Sequence, residues 1–229
     1  MRDQLNNGDV ISYIAAGDEV TRRLRAVRGG REFGHWVERA IGGLRPTTDG
    51  EKLIEAVRSL GPLVVTTNYD RLIEDVQPSW HSKTWTDKDY AYAVRGTQVV
   101  LHIHGVEGEP NSIILSSADY ERLRQADLAQ VLSKSLFASH RFLFIGCGDG
   151  LRDPNITPLI SFVNNVMPEE TTEHYMLVRG DQLREFNERP LSPLIAPVAY
   201  GSSFGDLTPF LQKLATGQKI HVSQDPNSY

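Results

Sequence analysis

Leu63-Val64-Val65-Thr66-Thr67-Asn68-Tyr69-Asp70-Arg71-Leu72-Ile73-Glu74 reads as strand, turn and helix. Its β-branched run suits a strand. Asn68 ends that run, being an excellent N-cap, and Asp70 is an acid placed where a first helical turn favours one. Working outward, the same unit recurs. Val99-Val100-Leu101-His102-Ile103-His104 is a second buried-type strand closed by Gly105, and a polar loop leads from it to Ile113-Ile114-Leu115 and a helix over about 118–138. Arg141-Phe142-Leu143-Phe144-Ile145 is a third. It runs into Gly146-Cys147-Gly148-Asp149-Gly150, and Asp153-Pro154 is a suitable cap and first residue for a helix through Val163. His174 to Val178 and Leu194 to Tyr200 are further strands, leading into helices near 181–188 and 206–215. Strands alternating with helices predict an α/β, three-layer domain whose mainly parallel sheet carries helices on both faces.

Upstream, Val10, Ile14, Val20 and Leu24, then Phe33, Val37 and Ile41, fall at helical spacing between Gly-rich breaks. The first sixty residues therefore read as helices, with no strand ahead of them. A helix from about Asp49, faced by Leu53, Ile54 and Val57, is expected to end at Leu60-Gly61 in a left-handed glycine cap. Residues 76–97, with Trp80, Trp85, Tyr90 and Tyr92, read as an irregular excursion over one sheet edge. Residues 1–217 are expected to form one domain, and 218–229 a polar tail.

Composition narrows the function classes. Among 229 residues there is one cysteine, Cys147, which excludes a disulfide framework and any zinc site built from two or more cysteines of this chain. The net charge of -5 gives no global pull toward nucleic acid or acidic membrane. Arg22, Arg23, Arg25, Arg28 and Arg31 crowd one stretch, read as a solvated helix face and its C-terminal turn. No window approaches the roughly 18 apolar residues of a membrane span, and nothing at the start marks secretion, so the cytoplasm is the expected location.

In open parallel sheets ligands sit beyond the carboxyl ends of strands. Three such ends stand out: Thr66 to Asp70, His102 to Gly105, and Gly146 to Gly150 with Asp153 behind it. Each has a plain alternative. Asn68 and Asp70 suit helix capping, a histidine at a strand end is often structural, and a glycine cluster serves tight turns as well as nucleotides. His102 and His104 alternate to the same face and compete for any catalytic role.

Taken together, in this order, the three ends resemble the sirtuin-like family, and within it the bacterial branch without a zinc module that depletes NAD in anti-phage defence. Val64 to Asp70 resembles its signature strand and turn, Leu101 to Gly105 its catalytic histidine followed by glycine, and Phe142 to Ile156 its adenosine-side loop. Ile113 to Tyr120 and Val198 to Leu207 extend the likeness to roughly residues 50–215. The resemblance implies a Rossmann-like fold and hydrolysis of NAD, its substrate, to nicotinamide and ADP-ribose without a metal. It implies Asn68, Asp70 and His104 as catalytic residues, with His104 preferred because it precedes the glycine. It further implies NAD contacts from Thr66, Thr67, Asn68, Gly105, Gly146, Cys147, Gly148 and Asp153, self-association into a homo-oligomer, and a partner protein of a defence system. The family opens with a strand and a Gly-Ala-Gly-x-Ser-like loop for the pyrophosphate, which the helical reading of residues 1–60 lacks. Reduced or absent turnover is therefore expected, and a catalytically inactive binding or scaffold module stays open.

Two other motifs compete. Phe142 to Gly150 also looks like the first motif of S-adenosylmethionine-dependent methyltransferases, although no acid at a following strand tip is found near 165–175. Gly201-Ser202-Ser203-Phe204-Gly205 matches a nucleophile elbow, but His221 precedes Asp225 in the short remainder, the reverse of the order such an elbow needs. Ser203 is expected to line a turn.

Overall fold

The structure, a computed structural model, describes residues 10–28, 30–90, 98–166, 174–188, 190 and 192–218. The tail beyond Gln218, Tyr92, and the side chains of Arg28 and Arg31 lie outside what it describes. The chain divides into two compact units, Met1–Ile54 with Gly61–Leu132, and Glu55–Leu60 with Ser133–Tyr229. It is α/β throughout, with parallel sheets and helices around them.

The upstream region is helical as expected: α1 spans Val10–Arg28, α2 Gly30–Ile41 and α3 Thr48–Arg58. Gly61 does not take the left-handed conformation expected of a cap. In the first unit β1 (Leu63–Thr66) leads through a turn into α4 (Leu72–Val76). The sheet has the order β1-β3-β2, with β2 at His81–Thr84 and β3 at Val99–His102. Every pairing is parallel, from Leu63↔Val99 to Thr66↔His102 on one side and from His81↔Val99 to Thr84↔His102 on the other. Central β3 is buried at all four positions, as its apolar run requires. The region read as an irregular excursion thus contributes an edge strand. His-Ser-Lys-Thr carries no apolar run because an edge strand needs no two-sided burial, and only Thr84 in it is buried.

Ile113-Ile114-Leu115 forms no ladder, yet both isoleucines are almost wholly buried. Phe33 and Val37 of α2 make a core with Ile113, joined by Leu24, Trp36, Ile41, Tyr69 and Leu115. The helix expected over 118–138 is two, α5 (Ser117–Arg124) and α6 (Asp127–Ser139). Arg22 and Arg23 pair with Glu19 on an exposed face, as their reading predicts. Arg25 differs. It reaches Asp119 at 3.2 Å and lies over the Phe33 ring.

The second unit holds β4 (Leu143–Phe144), α7 (Ile156–Val166), β5 (His174–Val178), α8 (Gly180–Glu188), β6 (Ile195–Ala199) and α9 (Leu207–Ala215). Its sheet has the order β4-β5-β6 and is again all parallel. His174 is buried edge-on to Phe137, Phe142 and Phe144, and its Nδ1 accepts from the Phe142 N–H. Burial pushes its pKa down, so this histidine is a neutral packing group. Among the described residues no helix is long and apolar enough to cross a membrane.

Candidate functional site

Parallel register places the strand ends together. Thr66 and His102 are the last pair of β1 and β3, so Asn68 and His104, each two residues further on, leave the sheet at the same edge. The turn after β1 is built from side chains. The Asn68 N–H donates to Thr66 Oγ1 at 3.0 Å, and the Leu72 N–H donates to Asp70 Oδ1 at 3.2 Å. Asp70 therefore serves the entry into α4, while Asn68, which the sequence offers as a cap, is exposed and outside the helix. Thr67 is exposed beside it, and Thr66 is half-buried with its hydroxyl occupied by the turn.

The two histidines of β3 and its turn have separate surroundings. His102 is wholly buried, with Nδ1 2.9 Å from the Asn68 carbonyl oxygen and Nε2 2.9 Å from Glu74 Oε1. Both nitrogens are committed to the protein. The His104 ring meets Tyr120 edge-on at 5.8 Å, and its carbonyl accepts from the Ile114 N–H at 2.9 Å. Gly105 has φ +89°, and a Cβ there would lie 2.3 Å from the carbonyl of Ser112. Glycine after His104 is thus demanded twice, by the left-handed backbone and by the close approach of residues 112–113.

That neighbouring segment locks the whole edge. Tyr69 Oη donates to the Ile114 carbonyl and Trp85 Nε1 to the Ser112 carbonyl, each at 2.6 Å, while the Val106 N–H donates to Ser112 Oγ at 3.1 Å. The turns after β1, β2 and β3 are all tied to Ser112–Ile114. Arg122 stacks over Trp85 and reaches Asp119 at 2.9 Å. None of Trp85, Ser112, Glu74 or Asp119 stands out in the sequence as part of a site. The signal for Asp119 was nonetheless there, in the Ser116-x-x-Asp119 capping-box spacing.

On the second unit, Gly146, Cys147 and Gly148 follow β4. Gly146 has φ +66° and Gly148 φ +46°, and a Cβ at either would meet nothing within 4 Å. Among the described residues, backbone conformation rather than crowding selects glycine at both. A five-residue 3-10 turn, Gly148–Arg152, follows it, and Asp153 accepts the Asn155 N–H at 2.8 Å, so the regular helix α7 begins only at Ile156. Burial raises the Cys147 pKa against a weak bond to the Ile145 carbonyl, so the sulfur is a neutral thiol. Ser203 lines a turn: its Oγ donates to Asp206 at 2.9 Å, which removes it as an activated nucleophile.

A sequence model of the SIR2-like domain matches residues 62–193. The chain belongs to the SIR2-like domain family. The match opens one residue before β1 and takes in the Asn68 turn, the His104-Gly105 turn and the Gly146 loop of this SIR2-like chain. Among its described residues no group of three or more His, Cys, Asp or Glu side chains is gathered to hold a metal ion.

Proposed function

We propose that this SIR2-like domain binds NAD and hydrolyses it to nicotinamide and ADP-ribose. The observation that carries the reading is the common register of β1 and β3, which brings Asn68 and the buried His104 to one end of the sheet, while both ring nitrogens of His102 are taken by Asn68 and Glu74. Cleavage of the nicotinamide glycosidic bond passes through an oxocarbenium-like ribose, which needs positioning more than strong acid. The exposed Asn68 carboxamide, donor and acceptor at once, holds the ribose hydroxyls or the incoming water. His104 accepts a proton as the water oxygen bonds to the anomeric carbon and the nicotinamide nitrogen leaves with the bonding electron pair. Asp70 keeps the turn in shape. Gly105 lets the turn after His104 pack closely on residues 112–113, Thr66 and Thr67 frame the Asn68 turn, and the family resemblance assigns the adenosine side to Gly146, Cys147, Gly148 and Asp153.

The family resemblance supports a bacterial anti-phage effector working in the cytoplasm as an oligomer with a defence-system partner. The reaction itself is tested by turnover in ¹⁸O-water. Slow release of equimolar nicotinamide and ADP-ribose, the latter carrying one ¹⁸O, is expected. Calorimetric binding of NAD without any product would instead establish an inactive binding module.

A further inference from the structure

We propose that Glu74 is a positioning residue for this site, acting through His102 on the Asn68 turn. The kinetic consequence rests on the hydrolase reading above; the structural consequence does not. Asn68 and Glu74 belong to one short stretch of chain, the turn after β1 and helix α4, and the buried His102 ring of β3 spans the gap between them. A carbonyl oxygen only accepts, so the 2.9 Å contact to Asn68 requires the proton on His102 Nδ1. Nε2 then meets Glu74 Oε1 at 2.9 Å and shares a second proton with it, as imidazolium and carboxylate or as imidazole and carboxylic acid. In either form the Asn68 carbonyl keeps its donor.

The hydroxyl of Ser82 on β2 donates to the same Glu74 oxygen. One carboxyl group therefore joins the edge strand, the central strand and the Asn68 turn. Its other oxygen, Oε2, is buried with no hydrogen-bond partner among the described residues. A group selected for stability alone would not carry that cost, since an apolar side chain would hold α4 on the sheet without it. What an apolar side chain fails to supply is a partner for Nε2. Without one, the ring is anchored through Nδ1 alone, and the Asn68 turn is no longer tied through His102 to α4 and β2. Burial raises the Glu74 pKa, but the bonds from His102 and Ser82 outweigh it and leave the carboxyl below its ordinary range.

The test compares Glu74→Gln with Glu74→Ala in the full chain, following nicotinamide release and the His102 imidazole Nδ1–H by NMR of ¹⁵N-histidine-labelled protein. Glutamine retains a polar partner for Nε2, so both kcat and the protected imidazole proton are expected to survive. Alanine removes the partner. The Nδ1–H should lose its protection from solvent exchange, and kcat should fall about a hundredfold with KM within about threefold, because a displacement near 1 Å costs that much. If the alanine variant does not fold, Glu74→Met fills the space without a hydrogen-bonding group strong enough to replace the carboxylate and carries the same expectation. An Nδ1–H as well protected in the alanine or methionine variant as in the wild type overturns the proposal. A wild-type chain that releases no nicotinamide overturns the hydrolase reading, and the imidazole signal alone then decides the role of Glu74.

Discussion

His102 and His104 stand two residues apart, and their surroundings differ. The first is consumed by Asn68 and Glu74, and the second sits beyond the last strand pair with its ring against Tyr120. Alternation along a strand places both on one face, so spacing alone leaves the choice open. The partners that distinguish His102 come from α4 and the β1 turn, more than 25 residues earlier in the chain, where no local pattern records them. Gly105 was easier to read. A glycine closing an apolar run signals an unusual backbone, and the structure supplies both the positive φ and the close Ser112 carbonyl. Gly105→Ala is expected to cost about 2 kcal/mol or more, from backbone strain plus overlap with a fixed peptide. Urea denaturation measures it, and a cost under about 0.5 kcal/mol would show that the turn adapts freely.

At the scale of elements, α5 shows how a surface helix secures the site. Ser116 and Asp119 cap it reciprocally, and Asp119 also takes Arg25 from α1 and Arg122 from α5, whose guanidinium covers Trp85. Burial raises the Asp119 pKa, but Ser116, Arg25 and the Leu115 N–H together hold it below the usual carboxylate range. The unfolded chain therefore binds the proton more tightly than the folded one. The stability Asp119 contributes is full well above its unfolded pKa of about 3.9, and drains as pH falls through the depressed folded value. Asp119→Asn should lower the unfolding free energy at pH 7 and flatten its decline between about pH 5 and 2, followed by thermal melts across that range. An unchanged acid limb would remove Asp119 from this role. Strands β1, β3, β5 and β6 were legible in sequence, because each is a compact apolar run. Edge strand β2 was not, since a polar His-Ser-Lys-Thr segment becomes a strand only by pairing with β3. The break between α5 and α6 was also hidden, because Gln125-Ala126 carries no glycine or proline to announce it.

For the whole molecule, alternating apolar strands and helices were enough to give the α/β class and the parallel pairing. Strand neighbours were less accessible: β1 lies beside β3, with β2 on the far side, and such an order is fixed by long-range packing that local periodicity does not encode. The site inherits this arrangement, because Asn68 and His104 share an edge only through the pairing of β1 with β3. The central claim is that these two residues carry the chemistry of a SIR2-like NAD hydrolase. It is tested most directly by nicotinamide release from NAD by the purified chain beside folded His104→Ala and Asn68→Ala variants. Release by the wild type, reduced at least about a hundredfold in each variant, is the predicted result; release that persists in both variants would contradict it.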